Sequence, residues 1–339
     1  MRLPKPAILL ASAIAIAAGV RIVSRLRSNR RMDDEVTFVT GGSRGLGLAI
    51  AMECARRGSR IAIAARYEDE LERACLQLRE MGTAVLPIVC DVRDRDQMQR
   101  AVRRVVAGFG RIDTLINNAG VIAVGPMETM DESDYRAAME THFWAPYHAV
   151  EAVRAFFELQ RAGRIVNIAS IGGLMSVPHL LPYSASKFAL VGYSEGLAAE
   201  LARKGISVTT VCPGLMRTGS PRNATFKAQN EKEYAWFMLS DSLPGFSIGA
   251  RAAARTVVDA ALAGRRHVTL SAPAQAAALV HGIAPGFVVR VLSVAARLLP
   301  GPGGIGSANA RGSQSETGVT RSPLTALGRK AERDFNQLS

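Results

Sequence analysis

The sequence predicts an α/β fold with a doubly wound parallel sheet in a single domain, residues 33–272. Short apolar runs alternate there with longer helical patterns, and a glycine-rich turn joins the first run to the first helix. Continuous apolar runs are typical of parallel strands that helices cover on both faces. Ligands of such sheets bind beyond the carboxyl ends of the strands, so polar residues at those positions are candidates for a site.

The formal net charge of +13 on the 339-residue chain is unevenly distributed. Residues 1–31 contribute +7 and residues 300–339 contribute +2, which leaves +4 for the middle. This ordinary balance argues against a nucleic-acid-binding core. The four cysteines form no C-x-x-C pair and have no histidine at metal-ligand spacing, so we expect neither disulfides nor a metal site.

Residues 1–31 are apolar and basic, and we expect them to be a membrane anchor. The apolar run over 7–20 is shorter than the ~20 residues of a span, but it extends to residue 26 if Arg21 snorkels. The arginines that follow put the domain on the cytoplasmic side by the positive-inside rule. The alternatives for this segment are a peripheral amphipathic arm and a cleaved signal. The alternative location of the enzyme is the cytoplasm.

The first predicted strand, residues 36–40, leads into a glycine-rich loop before a helical pattern over 48–57. Glycines at this place permit a tight turn and a close approach of the backbone to a ligand. The N–H groups at the start of the helix then suit a pyrophosphate. The loop predicts a dinucleotide site formed by Gly41, Ser43, Arg44, Gly45, Leu46 and Gly47.

The second predicted strand, residues 60–65, ends at Arg66. An acid at this place binds the ribose 2′-hydroxyl of NAD(H), whereas an arginine suits the 2′-phosphate of NADP(H). Arg44 is a second candidate for that phosphate. We therefore expect NADP(H), with NAD(H) as the alternative because Glu68 and Asp69 follow closely.

Five more strands are predicted at residues 84–90, 112–117, 164–169, 206–212 and 267–270. Asp91 follows the first of these and is placed to bind an adenine ring. Asn118, Ser170 and the Pro213-Gly214 pair follow the next three. Because the carboxyl ends of parallel strands meet at one edge, we expect these residues to converge with the glycine loop.

Tyr183 and Lys187 lie four residues apart on a helix predicted over 182–204, so they share one helix face. An ammonium near a phenol favours the phenolate, which makes the tyrosine a proton donor or acceptor at neutral pH. Ser170 could hold a carbonyl oxygen while the tyrosine protonates it.

The order of these motifs resembles the short-chain dehydrogenase/reductase family, whose core is Rossmann-like. The match covers about residues 35–272 and comprises Thr40-Gly41-x-x-x-Gly45-x-Gly47, Asp91-Val92, Asn117-Asn118-Ala119-Gly120, Ser170, Tyr183-x-x-x-Lys187, and Pro213-Gly214 with Thr218.

The resemblance implies that Tyr183 is the general acid/base and that Ser170 orients the substrate oxygen. It also implies that Lys187 lowers the tyrosine pKa and binds the nicotinamide ribose. The turn Asn118-Ala119-Gly120 would lie against the cofactor, and Pro213, Gly214 and Thr218 would border the nicotinamide. A homodimer or homotetramer is a further expectation from the family.

His142 departs from the family pattern, which has an asparagine in the middle of the long fourth helix. That helix is predicted over 131–159 with a bend at Pro146. The asparagine holds a water that links the lysine to solvent. A histidine can also hold a water, and it titrates near neutral pH. We predict that His142 joins the proton path; the alternative is that it fills space.

Residues 215–245 show no strong periodicity, and we expect an active-site lid there. Its aromatic residues suit a lipophilic alcohol or carbonyl such as a sterol, retinoid or acyl chain. The alternative is that they pack the segment onto the domain. Residues 273–299 predict an amphipathic segment for a membrane or a partner, and residues 300–339 a flexible polar tail.

These observations together predict a membrane-associated NADP(H)-dependent oxidoreductase that acts on a lipophilic secondary alcohol or ketone. A catalytically silent NADP(H)-binding sensor or scaffold at the membrane is the alternative from another class. The intact Ser170, Tyr183 and Lys187 favour the enzyme.

Overall fold

A seven-stranded parallel sheet forms the centre of the computed structural model, which describes residues 30–243 and 245–338. The strands of this sheet lie in the spatial order β11-β7-β6-β4-β1-β2-β3. They are β1 (Val36–Thr40), β2 (Arg60–Ala65), β3 (Val85–Val89), β4 (Thr114–Asn117), β6 (Gly163–Ile168), β7 (Ile206–Pro213) and β11 (His267–Leu270). All seven strands were predicted from the sequence, and the doubly wound parallel fold is confirmed.

Short strands and helices complete the chain. The two-residue strands are β5 (Ala123–Val124), β8 (Met216–Arg217), β9 (Thr225–Phe226), β10 (Ile248–Gly249) and β12 (Ala310–Arg311). The helices are α1 (Gly45–Arg56), α2 (Glu68–Arg79), α3 (Arg95–Phe109), α4 (Glu132–Met139), α5 (Ala145–Gln160), α6 (Leu181–Leu201), α7 (Asn230–Ser242), α8 (Ala250–Leu262), α9 (Ala272–Ile283), α10 (Pro285–Ala296) and α11 (Ala326–Asp334).

Helices cover both faces of the sheet, which explains why its strands are continuously apolar. Every residue of β1 is buried. On one face, α1, α2 and α8 contribute Leu48, Leu71 and Val257 to a core cluster. On the other face, α3, α5 and α6 contribute Val105, Val153 and other residues to a second cluster. A strand between two such layers has no solvent-facing side, so polar alternation is absent.

The long helix predicted over 131–159 is interrupted by a π-helical turn, Glu140–Trp144. The N–H of Ala145 donates to the carbonyl of Glu140, five residues back. Pro146 has no N–H and lies in the first turn of α5, so the proline starts a new helix after the wide turn. The sequence predicts a bend at Pro146, and the structure has the interruption just before that residue.

The segment 215–245, predicted to be an active-site lid, contains a helix and two short strands. Phe226, Tyr234, Phe237 and Met238 are buried there with Leu180. Burial of these side chains fixes α7 against the domain, as expected if the aromatic residues pack the segment. Trp236 is partly buried against the same cluster.

The amphipathic segment predicted over 273–299 consists of the two helices α9 and α10, which pack on each other. Several large apolar side chains on this pair are exposed, namely Leu279, Val280, Ile283, Phe287, Val289, Val291 and Val294. Within the described residues, no helix is both long and apolar enough to cross a membrane. The anchor predicted over residues 1–31 falls almost wholly outside the described part of the chain.

Residues 300–338 pack against the domain, which corrects the prediction of a flexible tail. β12 pairs with β9 in antiparallel orientation, with Arg311 opposite Thr225. Ser315, Thr320 and Thr325 are buried. The segment is rich in Gly and Ser, but several of its polar groups form hydrogen bonds with the domain, such as that from Asn230 Nδ2 to Ser315 Oγ, 2.8 Å.

Candidate active site

The glycine loop at the end of β1 has the geometry of a nucleotide cradle. Gly41 and Gly45 have φ angles of +63° and +57°, which favour glycine. A Cβ on Gly47 would lie 2.1 Å from the carbonyl oxygen of Gly41, so no side chain fits there. Asn118 Nδ2 donates to the carbonyls of Thr40 and Gly41, at 3.1 and 3.0 Å. The loop is therefore held in a shape that a dinucleotide phosphate can approach.

A cavity of about 520 Å³ lies beyond the carboxyl ends of the strands, where the topology predicts it. Most of the predicted site residues line it: Gly41, Ser43, Arg44, Gly45, Leu46, Arg66, Asp91, Val92, Asn118, Ala119, Gly120, His142, Tyr183, Lys187 and Thr218. Gly47, Ser170, Pro213 and Gly214 are outside its wall. A Cβ on Gly214 would lie 2.8 Å from the Cβ of Ala274, so this glycine permits packing with α9.

Tyr183 lies in the first turn of α6 beside Ser170. The Ser170 hydroxyl accepts the N–H of Gly172 at 3.0 Å, which fixes its position after β6. Burial raises the pKa of Tyr183 to about 12, and a hydrogen bond with Ser170 acts in the opposite direction. The tyrosine is thus a protonated phenol at neutral pH, next to a second hydroxyl.

Lys187 is buried one helical turn after Tyr183, and its Nζ donates to the carbonyl of Ile168 at 2.7 Å. Burial lowers the pKa of Lys187 to about 7. The Nζ lies 5.7 Å from the centroid of the Tyr183 ring. Burial dominates the pKa of Tyr183 and the opposing effect comes from Ser170, so the lowering that we expected from Lys187 stays a prediction.

His142 lies in the π-helical turn and is fully buried. Its Nε2 accepts the N–H of Val121 at 3.1 Å, so Nδ1 carries the proton and donates to Ser186 Oγ at 2.7 Å. Ser186 in turn donates to the carbonyl of Tyr183. Burial and nearby Lys187 lower the pKa of His142 well below its usual value. A neutral imidazole therefore connects the turn to the start of α6, and its role in a proton path stays a prediction.

The far end of the cavity is rich in guanidinium groups. Arg44 Nη1 lies 2.6 Å from Glu70 Oε1, and Ser43 Oγ donates to the same carboxylate at 3.0 Å. Burial lowers the pKa of Arg44, with Glu70 acting against it. Arg66 lies over the ring of Tyr67, 5.4 Å from its centroid. Asp91, predicted to bind adenine, pairs with Arg93 at 2.5 Å.

A sequence profile described as short chain dehydrogenase matches residues 35–229, more than half of the chain. The chain belongs to the short-chain dehydrogenase family. The matched segment contains the glycine loop, Ser170, Tyr183 and Lys187. Short-chain dehydrogenases are oxidoreductases that use nicotinamide cofactors and act on carbonyl or alcohol substrates, so the predicted class of enzyme is confirmed.

Relatives within the short-chain dehydrogenase family include reductases and dehydrogenases. A 3-oxoacyl-acyl-carrier-protein reductase of Thermotoga maritima is 31% identical over 199 residues, which cover 59% of this chain and 81% of the relative. The crystal structure of levodione reductase is 26% identical with a TM-score of 0.62, covering 71% of this chain and 97% of that one. NAD+-bound xylitol dehydrogenase is 28% identical with a TM-score of 0.61, covering 71% and 98%.

Several residues at this short-chain dehydrogenase site were missed from the sequence. Glu70 is buried at the glycine loop. The sequence indicates only the more exposed Glu68 and Asp69 as acids that could affect cofactor binding. Arg311 and Gln337 line the cavity from the segment that we expected to be flexible. Asp241 is buried in α7, close enough to Tyr183 to raise its pKa. No local motif marks these positions, because only the fold brings them close to the other residues of the site.

Proposed function

We propose that this chain is an NADP(H)-dependent oxidoreductase that interconverts a lipophilic ketone and its secondary alcohol. The observation that carries the proposal is the placement of Tyr183 and Lys187 in the wall of the same cavity as the glycine loop and Arg66. The loop fits a dinucleotide because its glycines leave no room for a Cβ. The nicotinamide, when bound, supplies or accepts the hydride.

The reaction needs a proton for the oxygen of the reduced carbonyl. Tyr183 supplies it, because its phenol is protonated and faces the cavity. Ser170 is not part of the cavity wall, but it is hydrogen-bonded to Tyr183 and would hold the carbonyl oxygen beside that phenol once the substrate is bound. Lys187, with a pKa of about 7, changes charge near neutral pH and lies one helical turn from Tyr183, so it can return to the tyrosine the proton that the phenol gives up. When the cofactor is bound, the same amino group would hold the nicotinamide ribose. In the oxidative direction the same groups move the proton the opposite way.

The first test is turnover of NADPH with ketones and aldehydes of increasing apolar size. We expect larger apolar substrates to have lower KM values, and Tyr183→Phe to lower kcat by at least about 10²-fold because the proton donor is lost. Tyr193→Phe removes a hydroxyl from the same helix outside the cavity and should retain activity. Full binding of NADPH without turnover of any substrate would favour the sensor or scaffold.

Arg66 supports the preference for NADP(H), since it directly follows β2 and lines the cavity. Asp69, the nearby acid that favoured NAD(H), forms an ion pair with Arg73, with 3.0 Å between Oδ2 and Nη1, and is largely exposed. We expect Arg66→Asp to weaken NADPH binding roughly 10- to 100-fold, and NADH binding far less, because a charge-assisted hydrogen bond is lost. Arg103→Asp, on the exposed side of α3, is the control. An unchanged ratio of the two dissociation constants would refute the assignment.

The lipophilic substrate is supported by apolar side chains near Tyr183. Ile122, Val177 and Trp236 are partly exposed around the buried cluster that Tyr183 contacts. Val121 and Ile122 also line the cavity. Reductases of oxoacyl chains among the relatives are consistent with such a substrate. Membrane association through residues 7–26 and a homodimer or homotetramer remain part of the proposal.

A further inference from the structure

We propose that residues 310–337 complete the nucleotide site, with Arg311 binding the pyrophosphate and residues 335–337 fixing the glycine loop. This inference rests on the proposed function, because it assigns more of the chain to the same cofactor. It concerns residues beyond the 35–229 segment that the family profile matches. The contacts that support it come from two separate parts of the segment.

The first part is a short stretch after α11 that is hydrogen-bonded to the glycine loop. The N–H of Gly45 donates to the carbonyl of Phe335 at 2.8 Å. Asn336 Nδ2 donates to the carbonyl of Ser43 at 2.8 Å and to that of Glu70 at 3.0 Å. Phe335, Asn336 and Gln337 are all buried. Such fully paired, buried contacts fix the loop in one shape.

Gln337 connects this stretch to the opposite side of the cavity. Its Nε2 donates to the carbonyl of Thr218 at 3.2 Å, and Asn223 Nδ2 donates to its Oε1 at 2.7 Å. A Cβ on Gly45 would lie 2.6 Å from Gln337 Nε2, so the Gln337 amide lies directly against the glycine loop. Gln337 itself lines the cavity. The segment therefore joins the glycine loop to the loop after β8.

The second part is β12, which positions Arg311. β12 lies beside β9, and the N–H of Gly312 donates to the carbonyl of Ala224 at 3.0 Å. Arg311, Ala224 and Thr225 line the cavity together. The strand pairing thus places a guanidinium at the cavity from a distant part of the sequence.

Within the described residues, Arg311 and Arg66 have no carboxylate partner, in contrast to Arg44, Arg93, Arg222 and Arg321. Arg222 and Arg321 both pair with Glu316. In the cavity, Arg44 is paired with Glu70 and Arg93 with Asp91. Arg66 and Arg311 are the remaining cavity guanidiniums, and they suit two separate anionic groups. Arg66 directly follows β2, at the position that suits a 2′-phosphate, so we assign Arg311 to the other anionic group, the pyrophosphate at the glycine loop.

The test is the dissociation constants of NADPH and NADH, measured by calorimetry on the full chain. We expect Arg311→Ala to weaken both cofactors by about tenfold or more, since both carry the pyrophosphate. Arg321→Ala removes an exposed arginine of the same segment, 3.0 Å from Glu316, and should change neither constant. Melting temperatures of all variants report on folding.

Two results would overturn the assignment of Arg311. The first is that both dissociation constants of Arg311→Ala lie within twofold of those of the unmodified chain. The second is that only NADPH binds more weakly to the variant, which would place Arg311 at the 2′-phosphate. If the unmodified chain binds neither cofactor, the proposed function itself fails. If the unmodified chain binds the cofactors and Arg311→Ala binds them equally well, only the role of Arg311 is rejected and the proposed function stands.

Hydrogen exchange tests the role of residues 335–337 without turnover. We expect the amide of Gly45 to exchange slowly in the unmodified chain and at least about tenfold faster in Asn336→Ala, because a buried hydrogen bond is lost. Equal exchange rates would reject the fixing role. Asn309→Ala, in the exposed stretch just before β12, is the control and should leave the rate unchanged.

Discussion

Asp241 is a buried acid that raises the pKa of Tyr183, and no sequence motif marks it. Burial raises the pKa of this carboxyl from 3.8 to about 8, although the backbone of Met216 hydrogen-bonds to it. Between these two values the native state holds a proton that the unfolded state has lost. The free energy of unfolding therefore falls as the pH rises through this interval.

We expect Asp241→Asn to remove that fall, because the amide stays neutral. The difference in free energy of unfolding between variant and unmodified chain should grow with pH, by up to about 1.4 kcal/mol per pH unit. Urea unfolding at several pH values measures it, with the exposed Asp96→Asn as the control. A difference that does not vary with pH would mean that Asp241 is ionised in the native state.

The residues that we propose for the reaction could be selected from the sequence because their motif is local. Tyr183 and Lys187 share one helix face, and Ser170 and Asn118 each follow a strand. Arg311 and Gln337 could not be predicted, since strand pairing and buried hydrogen bonds bring them from a Gly- and Ser-rich segment. His142 was found, but its two hydrogen-bond partners depend on the π-helical turn, which no sequence pattern specified.

Among the elements, the strands were predictable and α7 was not. A strand covered on both faces is apolar throughout, so its composition alone marks it. The buried residues of α7 include Glu233 and Asp241 as well as Tyr234 and Phe237, which interrupts the apolar period of the helix. Glu233 is satisfied by His179 Nδ1 at 2.8 Å and by Trp236 Nε1 at 2.7 Å, contacts that arise only in the fold.

β12 can pack against the domain because Gly312, the residue after it, lies very close to Pro221 and Tyr234. A Cβ on this residue would lie 2.2 Å from the carbonyl oxygen of Pro221 and 2.8 Å from the Tyr234 ring. We expect Gly312→Ala to lower the free energy of unfolding by about 1–3 kcal/mol. It should also speed proteolysis within 300–338. Gly318→Ala, where a Cβ meets nothing within 4 Å, is the control. Equal stability of both variants would contradict the docking.

At the scale of the whole molecule, the described domain begins before the first strand. Met32 is buried, and Arg30 Nη1 donates to the carbonyl of Leu262 at 2.7 Å. A deletion that tests the predicted anchor should therefore end at residue 29. We expect this deletion to move the protein from the membrane fraction to the supernatant, because the apolar run over 7–20 is lost.

The exposed apolar pair α9–α10 provides a second arm of that experiment. Replacement of Ile283 and Phe287 by Glu in the deleted chain tests whether this pair retains residual membrane binding. Membrane association that persists after the deletion and disappears only with the double substitution would assign the contact to the helices and contradict the anchor.

The hydrogen bond between Asn336 and Ser43 joins residues 293 positions apart. Closing so long a loop is slow compared with forming the neighbouring β1-α1-β2 unit, so the contact forms late in folding. During synthesis, the glycine loop would form long before residues 335–337, which we propose to fix it, leave the ribosome. Nascent chains would thus have an ordered sheet and an incompletely ordered phosphate loop, and cofactor capture would mark the last step of maturation.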